Sequence, residues 1–220
     1  GHHLGLCPYS ISSKAYRTPL GDLHADREAV EELRFAGGTA VAQDDFVHRS
    51  EHSIEFQALF LRQGLSHIEP RIIPVLCGSL SACLPEYSRE AFLNTAGDFL
   101  EGLRRRLSSS GGRTLVVAGV DLSHIGPKFG HDQPARALQG EAEAHDRALL
   151  RCLESLDAEA LWQESRRVRD GYNVCGFSAL ATLVEILPRC KGRILDYEMN
   201  HQSGAESAVS FAAAAFTAGR

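Results

Sequence analysis

The chain has 220 residues, 44% hydrophobic and 23% charged, enough apolar side chain for one sizeable core and short for two. A formal net charge of −5 excludes the broad basic surface of a nucleic-acid binder. No run nears the roughly 18 apolar residues that span a bilayer, which argues against a membrane role.

The sequence opens on Gly1-His2-His3 without Met. A tag scar or a truncated product each explains such a start, although Leu4-Gly5-Leu6 is unlike a tag. Asp26 is placed to cap a helix from Arg27 to Phe35 that Gly37-Gly38 stops. Glu51-His52-Ser53-Ile54-Glu55 opens a second helix carrying Phe56, Leu59, Phe60 and Leu61. Two acids around a histidine there either line a pocket or answer the helix dipole. This is not a zincin helix, because the second histidine it requires falls on Phe56. Arg71 to Gly78 reads as a strand, with Pro74 marking an edge or a bulge. Pro85 starts a long helix reaching about Leu107, with Phe92, Phe99, Leu100 and Leu103 on its buried side. The Arg104-Arg105-Arg106 cluster near its end complements the C-terminal dipole.

Arg113 to Val120 is β-branched and apolar and reads as a central strand ending at Asp121. Open α/β sheets place their ligands in loops at strand C-terminal ends. Asp121-Leu122-Ser123-His124 is therefore a candidate site, with His124 as proton acceptor or donor and Asp121 orienting or polarising it. The bland alternative is an Asp that caps a loop beside a solvated histidine. A glycine-containing loop over Ile125 to Gly130 follows, then a helix through Glu141 to Leu153 and a shorter one begun by Asp157 and carrying Leu161 and Trp162. Cys175 precedes an apolar helix that ends near Leu187-Pro188, where a thiol is easier to ionise than elsewhere. Arg193 to Met199 is a strand. Ser207 to Phe216 is a second strand, with a short helix the alternative in so alanine-rich a stretch.

This alternation of strands and helices makes the fold class α/β, with residues 1–220 forming a single domain. The six cysteines show no CxxC and no regular framework, which favours reduced thiols and a cytosolic setting. Cys7, Cys77, Cys83, Cys152 and Cys190 lack a reactive context and read as structural, and Cys175 is either a buried small hydrophobe or a ligand. His24, His48, His67, His131 and His145 read as surface residues, and His201 carries no argument. No GxGxxG, Walker loop or GxSxG elbow occurs, so metal-assisted redox or hydrolysis is what remains among enzyme classes.

Taken together, His2-His3-Leu4-Gly5, Tyr16-Arg17-Thr18-Pro19-Leu20-Gly21, Glu51-His52-Ser53-Ile54-Glu55, Ile72-Ile73-Pro74-Val75-Leu76, Asp121-Leu122-Ser123-His124, Asn173-Val174-Cys175-Gly176 and Ser207-Ala208-Val209-Ser210-Phe211 resemble the Memo family in identity and order. That family includes the bacterial and archaeal proteins called AmmeMemoRadiSam system protein B. The resemblance implies a central mixed sheet flanked by helices, similar to class III extradiol dioxygenases. It also implies a mononuclear copper or iron site in which His2 and Cys175 match two ligands. The resemblance further implies that Asp121 and His124 stand beside that metal, and His3, Glu51 and His52 are pocket candidates. In the dioxygenases a carboxylate stands where Cys175 falls, so the thiolate makes the site softer and moves it away from ring cleavage. Family members begin with a further strand and a Pro-His-Ala-Gly-Tyr-like loop whose histidine is another ligand. The resemblance thus implies a chain lacking its N-terminal strand and helix, with metal held weakly or not at all. Redox chemistry on a small molecule or peptide is one expectation. A non-catalytic pocketed binding or adaptor protein is the other.

Overall fold

Alternating helix and strand signals predict an α/β protein, and the computed structural model is one, with the strands among its described residues distributed over three small sheets. The structure describes residues 7–109, 111, 114–202, 204 and 206–218. They group into two units, the chain passing from one to the other between Gly119 and Val120.

In the first unit, β1 (Tyr9–Ile11), β2 (Tyr16–Thr18) and β3 (Gly21–Ala25) lead into α1 (Arg27–Gly37). Asp26 caps α1 by accepting from the Ala29 N–H, and Gly38 ends it with φ 50°, as the sequence predicts. Then come two short 3₁₀ turns, α2 (Ser53–Gly64), β4 (Arg71–Ile72), β5 (Val75–Cys77), α3 (Leu80–Cys83) and α4 (Arg89–Ser109). The strand expected over Arg71 to Gly78 is two strands. Pro74 has no N–H for a ladder, so the chain breaks there; β4 joins β3 in parallel and β5 joins β1 antiparallel. The helix expected to start at Pro85 starts at Arg89, because Ser88 Oγ accepts from the Ala91 N–H and caps it. Phe92, Ala96, Phe99 and Leu100 of α4 are buried, and the Phe99 ring lies 4.4 Å from that of Tyr9.

Two expectations for this unit fail. Leu115 and Val117 are 69% and 44% exposed, and residues 114–120 form no strand. Their composition suits a strand, but a strand needs a ladder partner, and among the described residues this segment has none. His48 is not a surface residue either. Its Nδ1 lies 2.8 Å from Tyr16 Oη, and its Nε2 is buried without a hydrogen-bond partner among the described residues.

The second unit holds β6 (His124–Ile125), a 3₁₀ turn at Pro127–Phe129, α5 (Ala135–Ser155), α6 (Ala158–Val168), α7 (Phe177–Ile186), β7 (Cys190–Gln202) and β8 (Ser207–Ala218). Asp157 caps α6 through the Ala160 N–H. The alanine-rich stretch is a strand, because β7 offers it an antiparallel ladder along nearly its whole length, from Gln202 opposite Ser207 to Cys190 opposite Ala218. β8 lies between β7 and β6. Leu149 and Leu153 of α5, Leu161 and Trp162 of α6, and Leu180, Ala181 and Val184 of α7 fill the core, where Trp162 meets Phe177 edge-on at 5.0 Å. His145, expected at the surface, is 1% exposed. It faces inward on α5, and Glu164 of α6 accepts from its Nδ1 at 2.8 Å.

Candidate metal centre

The segment from Asp121 to Ile125 is held along β8 by backbone pairing. The Leu122 N–H donates to Ser210 O, the Ser210 N–H to Ser123 O, and the Ser123 N–H to Ser210 Oγ. Beneath it lies Asp146 of α5, whose carboxylate is fully buried. Ser123 Oγ donates to one Asp146 oxygen at 2.7 Å, and Ser210 Oγ and Tyr197 Oη donate to the other. Burial and the Asp146 charge push the Tyr197 phenol well above its ordinary pKa, so it serves as a donor at any ordinary pH. Asp121 and His124 therefore flank a serine that is fixed by a buried acid.

The loop from Arg169 to Gly176 carries the third donor. Arg169, Asp170 and Asn173 all have φ between 50° and 58°, a left-handed conformation that Asn and Asp tolerate better than other L-residues. The Val174 N–H donates to Asp170 Oδ1, and burial pushes the Asp170 carboxyl above its usual range. Gly176 then passes close to Val120 and Asp121. A Cβ there would run into the Val120 side chain and lie 2.9 Å from Asp121 O, so the Cys-Gly step needs its glycine.

Together these elements bring Asp121, His124 and Cys175 to one place. His124 Nε2 is 3.9 Å from Asp121 Oδ2 and 4.0 Å from Cys175 Sγ, and the three donor atoms lie within 4.8 Å of one another. His124 is mostly buried, its ring edge-on to Phe129 at 4.9 Å, whereas Asp121 and Cys175 are open to solvent. The Nδ1 of His124 is 3.0 Å from Leu122 O. A carbonyl only accepts, so the neutral ring carries its proton on Nδ1 and leaves the Nε2 lone pair facing Asp121 and Cys175. A histidine ligand is oriented in this way by a carbonyl behind it.

The donor set fits a transition metal. Bonds of about 2.0–2.3 Å to one tetrahedral ion separate its donors by roughly 3.3–3.8 Å, so the observed spacings close around an ion with side-chain shifts of a few tenths of an ångström to about one. Thiolate, imidazole and carboxylate together suit copper, iron or zinc and not a hard cation.

Of the residues singled out in the sequence, the structure unites Asp121, His124 and Cys175. His2 and His3 lie outside the described residues. Glu51 and His52 belong to the first unit, where the buried Glu51 carboxylate accepts from the Ser53 N–H and stands 3.6 Å from His52 Nδ1. Asn173 and Gly176 entered only as neighbours of Cys175 in a matching segment, with no role of their own, and Asp146 was not singled out. The signal for Asp146 was present: it falls on the same face of α5 as Ala142, Leu149 and Leu153, an acid in an apolar stripe.

A family model described as Memo-like protein matches residues 1–215. A MEMO1 family protein of Aquifex aeolicus is 28% identical over 98% of this chain and 53% of its own length. A MEMO1 family protein of Methanosarcina barkeri is 30% identical over 94% of this chain and 70% of its own. In Caenorhabditis elegans a protein called memo-1 homolog is 26% identical over 95% of this chain and 59% of its own. The chain thus spans about half the length of the Aquifex relative.

Proposed function

This chain belongs to the Memo family, and on that premise we propose that it holds one copper or iron ion at Cys175, His124 and Asp121 and takes part in redox chemistry there. The observation that carries the reading is the convergence of a thiol, an imidazole nitrogen and a carboxylate within 4.8 Å on loops pinned by hydrogen bonds. Cys175 is the anchor, because a thiolate is the softest of the three donors and sets the preference for a redox-active metal. The resemblance adds His2 as a further ligand. A bound copper or iron ion supplies one-electron chemistry.

The chain's own groups do the rest. His124 works at Nε2, as a lone-pair donor to the ion or as the acceptor of a proton from a molecule bound beside it. Asp121, at 3.9 Å, stabilises the imidazolium that proton transfer creates. Leu122 O keeps the ring in register through Nδ1. The exposure of Asp121 and Cys175 leaves room for a small molecule or an exposed peptide side chain to approach.

The test is cobalt(II) titration, followed by the near-ultraviolet thiolate-to-cobalt absorption. The band should appear in the wild-type protein, vanish in Cys175→Ser and weaken in His124→Ala. A band of undiminished intensity in Cys175→Ser would sink the assignment.

A second reading, a binding protein without turnover, draws on the first unit, where Phe35, Phe46, Phe56 and Phe60 are each more than half exposed. It predicts that Asp121→Asn and His124→Ala leave partner binding intact. The metal reading predicts that the same changes abolish activity with the fold preserved.

A further inference from the structure

The Asp121–His124 segment and the Cys175 loop come from different parts of the chain, and something must set the distance between His124 Nε2 and Cys175 Sγ. Residues 172 and 173 grip the His124 backbone on both sides. The His124 N–H donates to Tyr172 O at 2.7 Å, and Asn173 Nδ2 donates to His124 O at 3.2 Å. The same Nδ2 donates to Phe129 O at 3.1 Å, so both amide hydrogens of Asn173 are used on the segment that carries His124. Asn173 achieves this from φ 50°, where an L-residue is normally disfavoured and Asn is among the least penalised. There is little slack between it and Cys175. Val174 is buried and tied at both ends, its N–H to Asp170 Oδ1 and its O to the Phe177 N–H, and Gly176 is wedged against Val120 and Asp121.

We propose that Asn173 is a positioning residue that acts through these two hydrogen bonds to hold Cys175 Sγ against His124 Nε2. It touches neither side chain of the pair. It fixes the peptide on which one is mounted and lies two residues from the other. The inference rests on the metal reading for its first readout and on geometry alone for its second.

The experiment uses three variants of the full chain. Asn173→Gly keeps the left-handed backbone and removes the amide. Asn173→Asp keeps the shape and turns both donors into acceptors facing carbonyls. Asn173→Ala removes the amide and adds backbone strain. In cobalt(II) titrations the Gly and Asp variants should bind about tenfold or more weakly than wild type, the size of effect seen when support around a ligand is lost, while each still unfolds cooperatively at a melting temperature lowered by the lost hydrogen bonds. Wild-type affinity in Asn173→Gly, with loss only in Asn173→Ala, would show that backbone conformation and not the amide matters, and would overturn the inference.

If the wild-type protein gives no thiolate–cobalt band, the metal reading fails and the second readout decides. In the metal-free protein, iodoacetamide labelling of Cys175, read by peptide mass spectrometry against Cys152 in the same sample, should change several-fold in Asn173→Gly. An unchanged ratio of the two rates would overturn the inference independently of any metal.

Discussion

At the scale of single residues, the site rests on buried polar groups that a hydropathy reading passes over. Asp146 is an acid with no exposed surface, and it receives hydroxyl bonds from Ser123, Ser210 and Tyr197. Hydrogen bonds to a charged group are worth more than neutral ones, and removing a shared acceptor strands every donor at once. Asp146→Ala should therefore cost about 3–5 kcal/mol in urea unfolding, against about 1–2 kcal/mol for Tyr197→Phe, which strands none of the other donors. Equal effects of the two changes would show that the carboxylate is not the hub. Gly176→Ala should be poorly tolerated for a steric reason, since the added carbon meets Val120 and the Asp121 backbone. Its cost should fall in the double variant with Val120→Ala, measured as coupling in a double-mutant cycle.

At the scale of elements, local chemistry was legible and pairing was not. Asp26 and Asp157 announce their helices because a cap is a matter of a few consecutive residues, and both caps are made as expected. The alanine-rich β8 stretch left strand and short helix both open in the sequence, and the β7 ladder makes it a strand. Of the strand expected over Arg113 to Val120, the described residues 114–120 form none, because composition describes a willingness to pair and says nothing of a partner. His145 was misplaced for a similar reason. Glu141 and Arg147 near it are exposed, but His145 and the adjoining Asp146 are buried, and His145 faces Glu164. The candidate site was legible as two fragments, Asp121 to His124 and Cys175. Their juxtaposition depends on Asn173, Gly176 and Asp146, whose roles exist only across the chain.

The contact between α5 and α6 also gives a pH dependence. Arg167, then His145, hydrogen-bonds the Glu164 carboxylate and pulls its pKa below the usual range. An acid with a depressed folded pKa contributes stability above its unfolded pKa of about 4.3, and that contribution is lost as pH falls from there through the folded value. Melting temperature should therefore drop more steeply below this point in wild type than in Glu164→Gln. Parallel curves for the two proteins would remove Glu164 as the cause.

At the scale of the whole molecule, the family assignment covers the chain from residue 1 to residue 215, and the three donors Asp121, His124 and Cys175 lie within the unit that starts at Val120. No helix among the described residues is long and apolar enough to cross a membrane. A metal that binds only the folded protein must stabilise it by mass action, by about 2.7 kcal/mol at a hundredfold excess over Kd. Cobalt(II) at that excess should raise the melting temperature of the wild-type protein and leave Cys175→Ser unmoved. An equal rise in both would place the ion elsewhere.

The measurement to make first is native mass spectrometry of the chain loaded anaerobically with copper(I) or iron(II), beside Cys175→Ser and Asp121→Asn/His124→Ala. The proposed centre predicts one equivalent of metal on the wild-type protein and little or none on either variant. No metal on the wild type, or one equivalent retained by Cys175→Ser, would contradict it.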